Sequence, residues 1–176
     1  MGVAGRCIGR TDLAVDARKA KRLAHRIRRR ARRDKLPCVV WTSPLQRSAC
    51  VGHWLARWGW QHHVDPRLSE LDFGSWDDRP WEAIGHAAVT AWTDAFATHA
   101  PGGGESVGAL MNRCASFLSE REAQRICVVG HAGWINAMRR VSAALPPPAL
   151  ASEWPAAVRY GVAVEFLRSA GGAESQ

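Results

Sequence analysis

The chain reads as an α/β fold, with helices packed on a mostly parallel sheet, and three observations predict it. Two short apolar runs, Cys38–Thr42 and Ile126–Val129, are β-branched at most positions, the pattern of strands buried on both faces. Each run passes directly into a turn, Ser43-Pro44 after the first and Gly130-His131-Ala132-Gly133 after the second. Each turn then opens a stretch of helical spacing, so strands alternate with helices along the chain.

The elements follow in order. Residues 1–16 hold glycines and no periodicity, and read as a loop. Ala17 to Arg33 is a helix whose Ala20, Leu23, Ala24, Ile27 and Ala31 form one apolar stripe. After the strand at Cys38–Thr42, Ser43 is the expected N-cap and Pro44 the first residue of a helix running to about Trp58. His62-His63-Val64 reads as a short edge strand. Asp65 to Arg79 is an acidic, aromatic loop leading to a helix from about Pro80. Pro101 to Ser106 is a glycine-rich turn that opens a helix from Ser106 to about Glu122. Ile126–Val129 is the expected central strand, and the helix from Trp134 carries Arg139 and Arg140 on its outer side. Pro146-Pro147-Pro148 is a rigid connector, and Val158 to Leu167 reads as a last strand. One domain is expected over residues 1–170, with a polar tail at 171–176.

Composition narrows the function classes. The 176 residues are enough for a sizeable core. No apolar run approaches the eighteen or so residues of a membrane span, and the opening residues lack the apolar segment of a signal peptide. Five scattered cysteines without a C-x-x-C pair argue against a disulfide framework or a zinc site and for a reducing cytoplasm. The net charge of +8 comes from one helix, since Arg18 to Lys35 holds eleven Lys/Arg and one acid, Asp34. No aromatic interleaves those charges as a base-stacking surface requires. A solvated amphipathic helix is therefore expected there, not a nucleic-acid partner.

The strand-to-helix corners carry the chemistry. His131 and Arg47 each stand near the carboxyl end of a predicted strand, at the start of a helix. Ligands of open α/β sheets bind there, and free backbone N–H groups favour anions. On residue type alone His131 could equally cap its turn, Arg47 could be a surface arginine, and Glu70 is a loop carboxylate without a distinguishing mark.

Five segments together resemble the histidine phosphatase superfamily, the phosphoglycerate-mutase-like fold. They are Gly9-Arg10-Thr11-Asp12-Leu13, Ser43-Pro44-Leu45-Gln46-Arg47, Glu70-Leu71-Asp72-Phe73-Gly74-Ser75-Trp76, Gly103-Gly104-Glu105-Ser106 and Val129-Gly130-His131-Ala132-Gly133. Their order and spacing follow the family over nearly the whole chain. Within it, GRTDL, LDFGSWDDRPW and GGES look closest to the alpha-ribazole phosphatases of cobalamin biosynthesis. The resemblance implies a three-layer α/β/α fold and a small-molecule phosphate monoester as substrate, with no cofactor and no metal. It implies that Arg47 grips phosphate oxygens with its planar fork. It further implies that His131 donates to the phosphoryl group and that Glu70 protonates the leaving oxygen. Gly9, Arg10 and Thr11 fall where the family contacts the substrate beyond its phosphate. Trp76, Trp81 and Trp92 read as core or rim packing.

The family's Arg-His-Gly or Arg-His-Pro motif, which ends its first central strand and supplies the nucleophile, has no counterpart. Only Met1 to Ala4 precede the loop it should introduce, and Arg-His occurs nowhere in the chain. The expectation is a sheet without that strand, a chain short at its amino end, and essentially no hydrolysis by these 176 residues; the alternatives are a catalytically dead relative that binds a phosphorylated ligand, and a broader sugar-phosphate phosphatase or mutase.

Overall fold

A strand persists only where its backbone N–H and C=O groups find partners, and the two apolar runs find each other. The computed structural model describes residues 5–121 and 125–166. In it, β1 (Val39–Thr42) is the middle of a three-stranded parallel sheet, flanked by β2 (Gln61–Val64) and β3 (Cys127–Val129). Val40 pairs with Cys127, Trp41 with Val128 and Thr42 with Val129. The carboxyl ends of β1 and β3 therefore finish side by side, and the residues that follow them meet.

Side chains alternate across the sheet and build a core on each face. Val40 and Val129 pack with Ala20 and Ala24 of α1 (Ala17–Arg33) and with Val51 and Leu55 of α2 (Gln46–Ala56). Trp41 and Val128 pack on the opposite cluster. That cluster is built from Leu110, Met111 and Phe117 of α4 (Val107–Ser119) and Trp134, Ala137 and Met138 of α5 (Ala132–Ser142). This is the expected three-layer α/β/α arrangement. α3 (His86–Asp94) lies outside it in sequence, between the acidic loop and the glycine-rich turn.

Local chemistry sets the helix ends. Asp16 caps α1 by accepting from the backbone N–H groups of Arg18 at 2.9 Å and Lys19 at 3.1 Å. Arg30, Arg32 and Arg33 occupy its last turn, where cations suit the dipole. Ser106 caps α4 through Ala109 N–H at 3.2 Å. Two tryptophans of the α2 region lie beneath cations. Lys21 and Arg57 sit over the Trp54 ring at 4.7 and 5.1 Å, and Arg28 over Trp58 at 5.5 Å.

Several expectations need correction. Ser43 does not cap α2, which starts at Gln46 with Leu45 at its N-cap. Its first amide is taken instead by the Asp12 carboxylate at 2.7 Å, because the Ser43 hydroxyl is engaged elsewhere. α2 stops at Ala56 and α4 at Ser119, short of Trp58 and Glu122. The helix expected from Pro80 is a 3-10 turn over Trp81–Ala83, divided from α3 by Gly85 at φ 91°. β1, not β3, is the central strand. As an edge strand, β3 is only half-buried at Cys127 and Val128. Residues 158–166 form no strand. Strands need a ladder, and among the described residues the segment pairs with neither open edge of the sheet, β2 or β3. Leu167 and the tail at 171–176 lie outside the described residues. No helix among the described residues is long and apolar enough to cross a membrane.

Candidate active site

The parallel register brings Ser43, just past β1, against His131, just past β3. The Ser43 hydroxyl and His131 Nε2 lie 2.7 Å apart, both residues buried. His131 occupies the N-cap position of α5 without a capping side-chain bond, so the turn-capping reading does not hold. Its other ring nitrogen, Nδ1, accepts from Arg47 Nε at 3.2 Å. An arginine Nε–H only donates, so Nδ1 is the bare nitrogen and the proton resides on Nε2, directed at Ser43. Burial, aided by the charges of Arg47 and Arg113, holds the His131 pKa down to about 3. The imidazole is thus neutral at physiological pH.

Arg47 is not a surface arginine. From the first turn of α2 its guanidinium reaches back to the amino-terminal loop, donating to the Thr11 carbonyl at 2.8 Å and to the Gly9 carbonyl. The opposite side of that loop is held by Asp77. Its two carboxylate oxygens accept from Gly9 N–H and Thr11 N–H, each at 2.7 Å. Gly9 and Thr11 are therefore clamped between an acid and a base through their backbones. Arg10, between them, turns its side chain outward to Asp72 at 3.1 Å and Glu105 at 3.7 Å.

Glu70 comes to the same place from the acidic loop. Its carboxylate accepts from Gly133 N–H at 3.1 Å and Trp134 N–H at 3.2 Å, at the amino end of α5, and from Leu71 N–H at 2.9 Å. The contact needs a glycine, because a Cβ at position 133 would strike the Glu70 carboxylate. Burial pushes the Glu70 pKa above the usual carboxylate range, against the pull of those N–H groups and of Arg47. A carboxyl raised in this way suits an acid.

Glu70 is positioned by Arg113, which donates to the carbonyls of Arg67 at 2.6 Å, Ser69 at 2.8 Å and Glu70 at 3.1 Å. Glu105 of the glycine-rich turn grips the same guanidinium at 2.7 and 2.9 Å. The turn packs so closely that a Cβ on Gly104 would collide with the Asp72 carbonyl.

Arg47, His131 and Glu70 thus meet where α5 begins, and Gly9 and Thr11 brace Arg47 from behind. Sequence reasoning missed Ser43 as a partner of His131, Asp77 as the clamp and Arg113 as the holder of Glu70. Asp77 stood within the quoted LDFGSWDDRPW loop, whereas Arg113 carried no sequence signal.

A family model for the histidine phosphatase superfamily (branch 1) matches residues 2–156. A mycobacterial glucosyl-3-phosphoglycerate phosphatase structure is 26% identical with a TM-score of 0.68, covering 81% of this chain and 75% of its own. The structure of that enzyme in complex with VO3 is 27% identical, with a TM-score of 0.68 and coverages of 82% and 77%. The protein TTHB049 from Thermus thermophilus is 27% identical with a TM-score of 0.60, covering 81% of this chain and 80% of its own. No curated protein matches the chain. Matched over most of its length by that family model, this chain belongs to the histidine phosphatase superfamily (branch 1).

Proposed function

We propose that this chain provides the phosphate cradle of a histidine-type phosphomonoesterase whose substrate is alpha-ribazole 5′-phosphate. One observation carries the reading: a guanidinium, an imidazole and a carboxyl with raised pKa converge on the amino end of a helix. Those are the groups that phosphoryl transfer through a histidine requires around the reacting oxygens. The finer choice of substrate is supported by the GRTDL, LDFGSWDDRPW and GGES segments.

In this reading Arg47 exchanges its bonds to the Gly9 and Thr11 carbonyls for two phosphate oxygens. Gly133 and Trp134 N–H groups, now on Glu70, take an oxygen as well. Glu70, released from them, donates its proton to the leaving alcohol as the phosphoryl group passes from the alkoxide oxygen to a nucleophilic histidine that the 176 residues do not supply. It then accepts a proton from the water that displaces that histidine. His131 lends its Nε2–H to the phosphoryl group by turning from Ser43.

A second reading is favoured by the state of His131. Both its nitrogens are engaged, and Arg-His is absent from the 176 residues. The chain then binds phosphate esters and hydrolyses essentially none. The test is to measure inorganic phosphate binding and ester turnover for the chain alone and for a fusion that places a strand ending in Arg-His ahead of Gly5. Binding in both, with turnover of alpha-ribazole 5′-phosphate in the fusion alone, supports the phosphatase. Binding without turnover in either form supports the second reading. Preferred turnover of glucosyl-3-phosphoglycerate overturns the substrate choice, and failure to bind phosphate overturns both readings.

A further inference from the structure

Lys21, Arg28 and Arg32 follow one another at seven- and four-residue steps along α1, and Lys35 stands just past its end. Such steps keep side chains on one stripe of a helix, here the stripe that faces the end of α2. Lys21 lies over the Trp54 ring and Arg28 over Trp58, while Arg57 covers Trp54 as well. His25 packs on Trp58 in the same seam, with ring centroids 4.3 Å apart. α1 holds no Trp, Phe or Tyr of its own, so packing supplies the aromatics that its sequence lacks. At the far end of the row a cavity of about 180 Å³ is walled by Arg28, Arg32, Lys35, Trp58 and Trp60. That is below the roughly 300 Å³ at which sites begin to enclose a whole small molecule. It suits one unit of something longer.

The row is not neutralised from within. Like charges at neighbouring helix positions repel. Asp34, the one acid between Arg18 and Lys35, is held by Arg30 and Arg33, and no cation of the row is ion-paired among the described residues. Lys35 adds backbone strain. It takes φ 51° at a helix end, where glycine is the unstrained residue. The other flank of α1 is partly covered, with Tyr160 Oη donating to the Lys19 carbonyl at 3.1 Å and Glu165 pairing with Arg30. The flank toward α2 is the open one.

We propose that the seam between α1 and α2 binds single-stranded nucleic acid without reading its sequence. Phosphates lie along the cations, and unpaired bases stack on the guanidinium groups that Trp54 and Trp58 hold in place. One base reaches the cavity beside Trp60. A bilayer surface would also need exposed large apolar side chains for insertion, and among the described residues none of these lies on the row. The seam is separate from the phosphate cradle. Arg47 stands in the first turn of α2 and Trp58 just beyond its last, roughly 15 Å apart along the axis.

The experiment follows the fluorescence anisotropy of a 3′-labelled oligothymidylate of about twelve residues. It carries no terminal phosphate, so the cradle has no phosphomonoester to hold. A Kd of about 1–100 μM is expected at physiological salt, with log Kd rising against log salt at a slope of about 3 for four or five phosphate contacts. An abasic strand of equal length should bind at least about fivefold more weakly, the lower end of what one stacked base contributes. One variant combines Lys21→Ala, Arg28→Ala, Arg32→Ala and Lys35→Gly, residues that suit a helix and its end. It should lose about tenfold or more in affinity. A second variant combines Arg18→Ala, Arg22→Ala, Arg26→Ala and Arg29→Ala, removing the same charge from the other flank, and should lose less than about threefold. Equal losses in the two variants would reduce the effect to net charge and overturn the proposal. So would equal binding of the abasic strand, tighter binding to vesicles of phosphatidylserine and phosphatidylcholine, or no binding by the wild type.

Discussion

Acidification should destabilise this protein through a single imidazole. His131 titrates near 6.5 in an unfolded chain and at about 3 in the native one. Between those values the unfolded chain binds a proton that the native state refuses, so stability must fall with pH. The contribution is fully present above the unfolded value of 6.5, declines below it, and levels off only near 3. Each unit of separation corresponds to about 1.4 kcal/mol. Lowering the pH from about 7.5 to about 4.5 should therefore remove roughly 2–3 kcal/mol through this residue alone. That is a large part of an ordinary stability of about 5–15 kcal/mol. His131 is only 7% exposed, so solvent does little to screen the effect. The assay is urea unfolding at several pH values, comparing the wild type with His131→Asn. Asparagine keeps one acceptor for Arg47 and one donor for Ser43 but has nothing to protonate. As pH falls, wild-type stability should drop by that amount more than the stability of the variant. Parallel curves would show that the native imidazole accepts its proton as readily as the unfolded one, and the burial argument would fail.

Other outcomes follow from the same geometry. Glu70→Gln removes a carboxylate that already occupies the Gly133 and Trp134 amides, so calorimetry should find inorganic phosphate bound several-fold more tightly near neutral pH. In the wild type the affinity should rise as pH falls and Glu70 takes up its proton, a dependence the variant should lose. Leu110, fully buried on α4 in the core cluster that includes Trp134 and Phe117, should cost about 2–5 kcal/mol as Leu110→Ala in urea unfolding. Asp77→Ala strands the Gly9 and Thr11 amides and loosens the carbonyls that brace Arg47. A loss of about 1–3 kcal/mol is expected, with weaker phosphate binding in calorimetry.

What could be read from the sequence was what depends on neighbours along the chain. The helix at Ala17–Arg33 and the Ser106 cap are written in local periodicity and in one hydroxyl before a helix. Arg47 and His131 stood out because both follow an apolar run into a turn, and the parallel register then brings such corners together. The unread part depends on contacts across the fold. Ser43 looks like a cap until His131, 88 residues away, claims its hydroxyl. Asp77 and Arg113 work on backbone groups tens of residues distant, which no spacing rule encodes. The segment at 158–166 has strand composition, yet it pairs with no strand of the described sheet. The basic helix holds no Trp, Phe or Tyr of its own, yet Trp54 of α2 and Trp58 just beyond it reach its cations.

The most direct test of a shared oxyanion cradle is a crystal structure of the chain soaked with vanadate. The metal oxide should sit at the start of α5, within hydrogen-bond reach of the Arg47 guanidinium and the Gly133 N–H, with Glu70 displaced from the Gly133 and Trp134 amides. Vanadate bound only elsewhere, with Arg47 still on the Gly9 and Thr11 carbonyls, would contradict it.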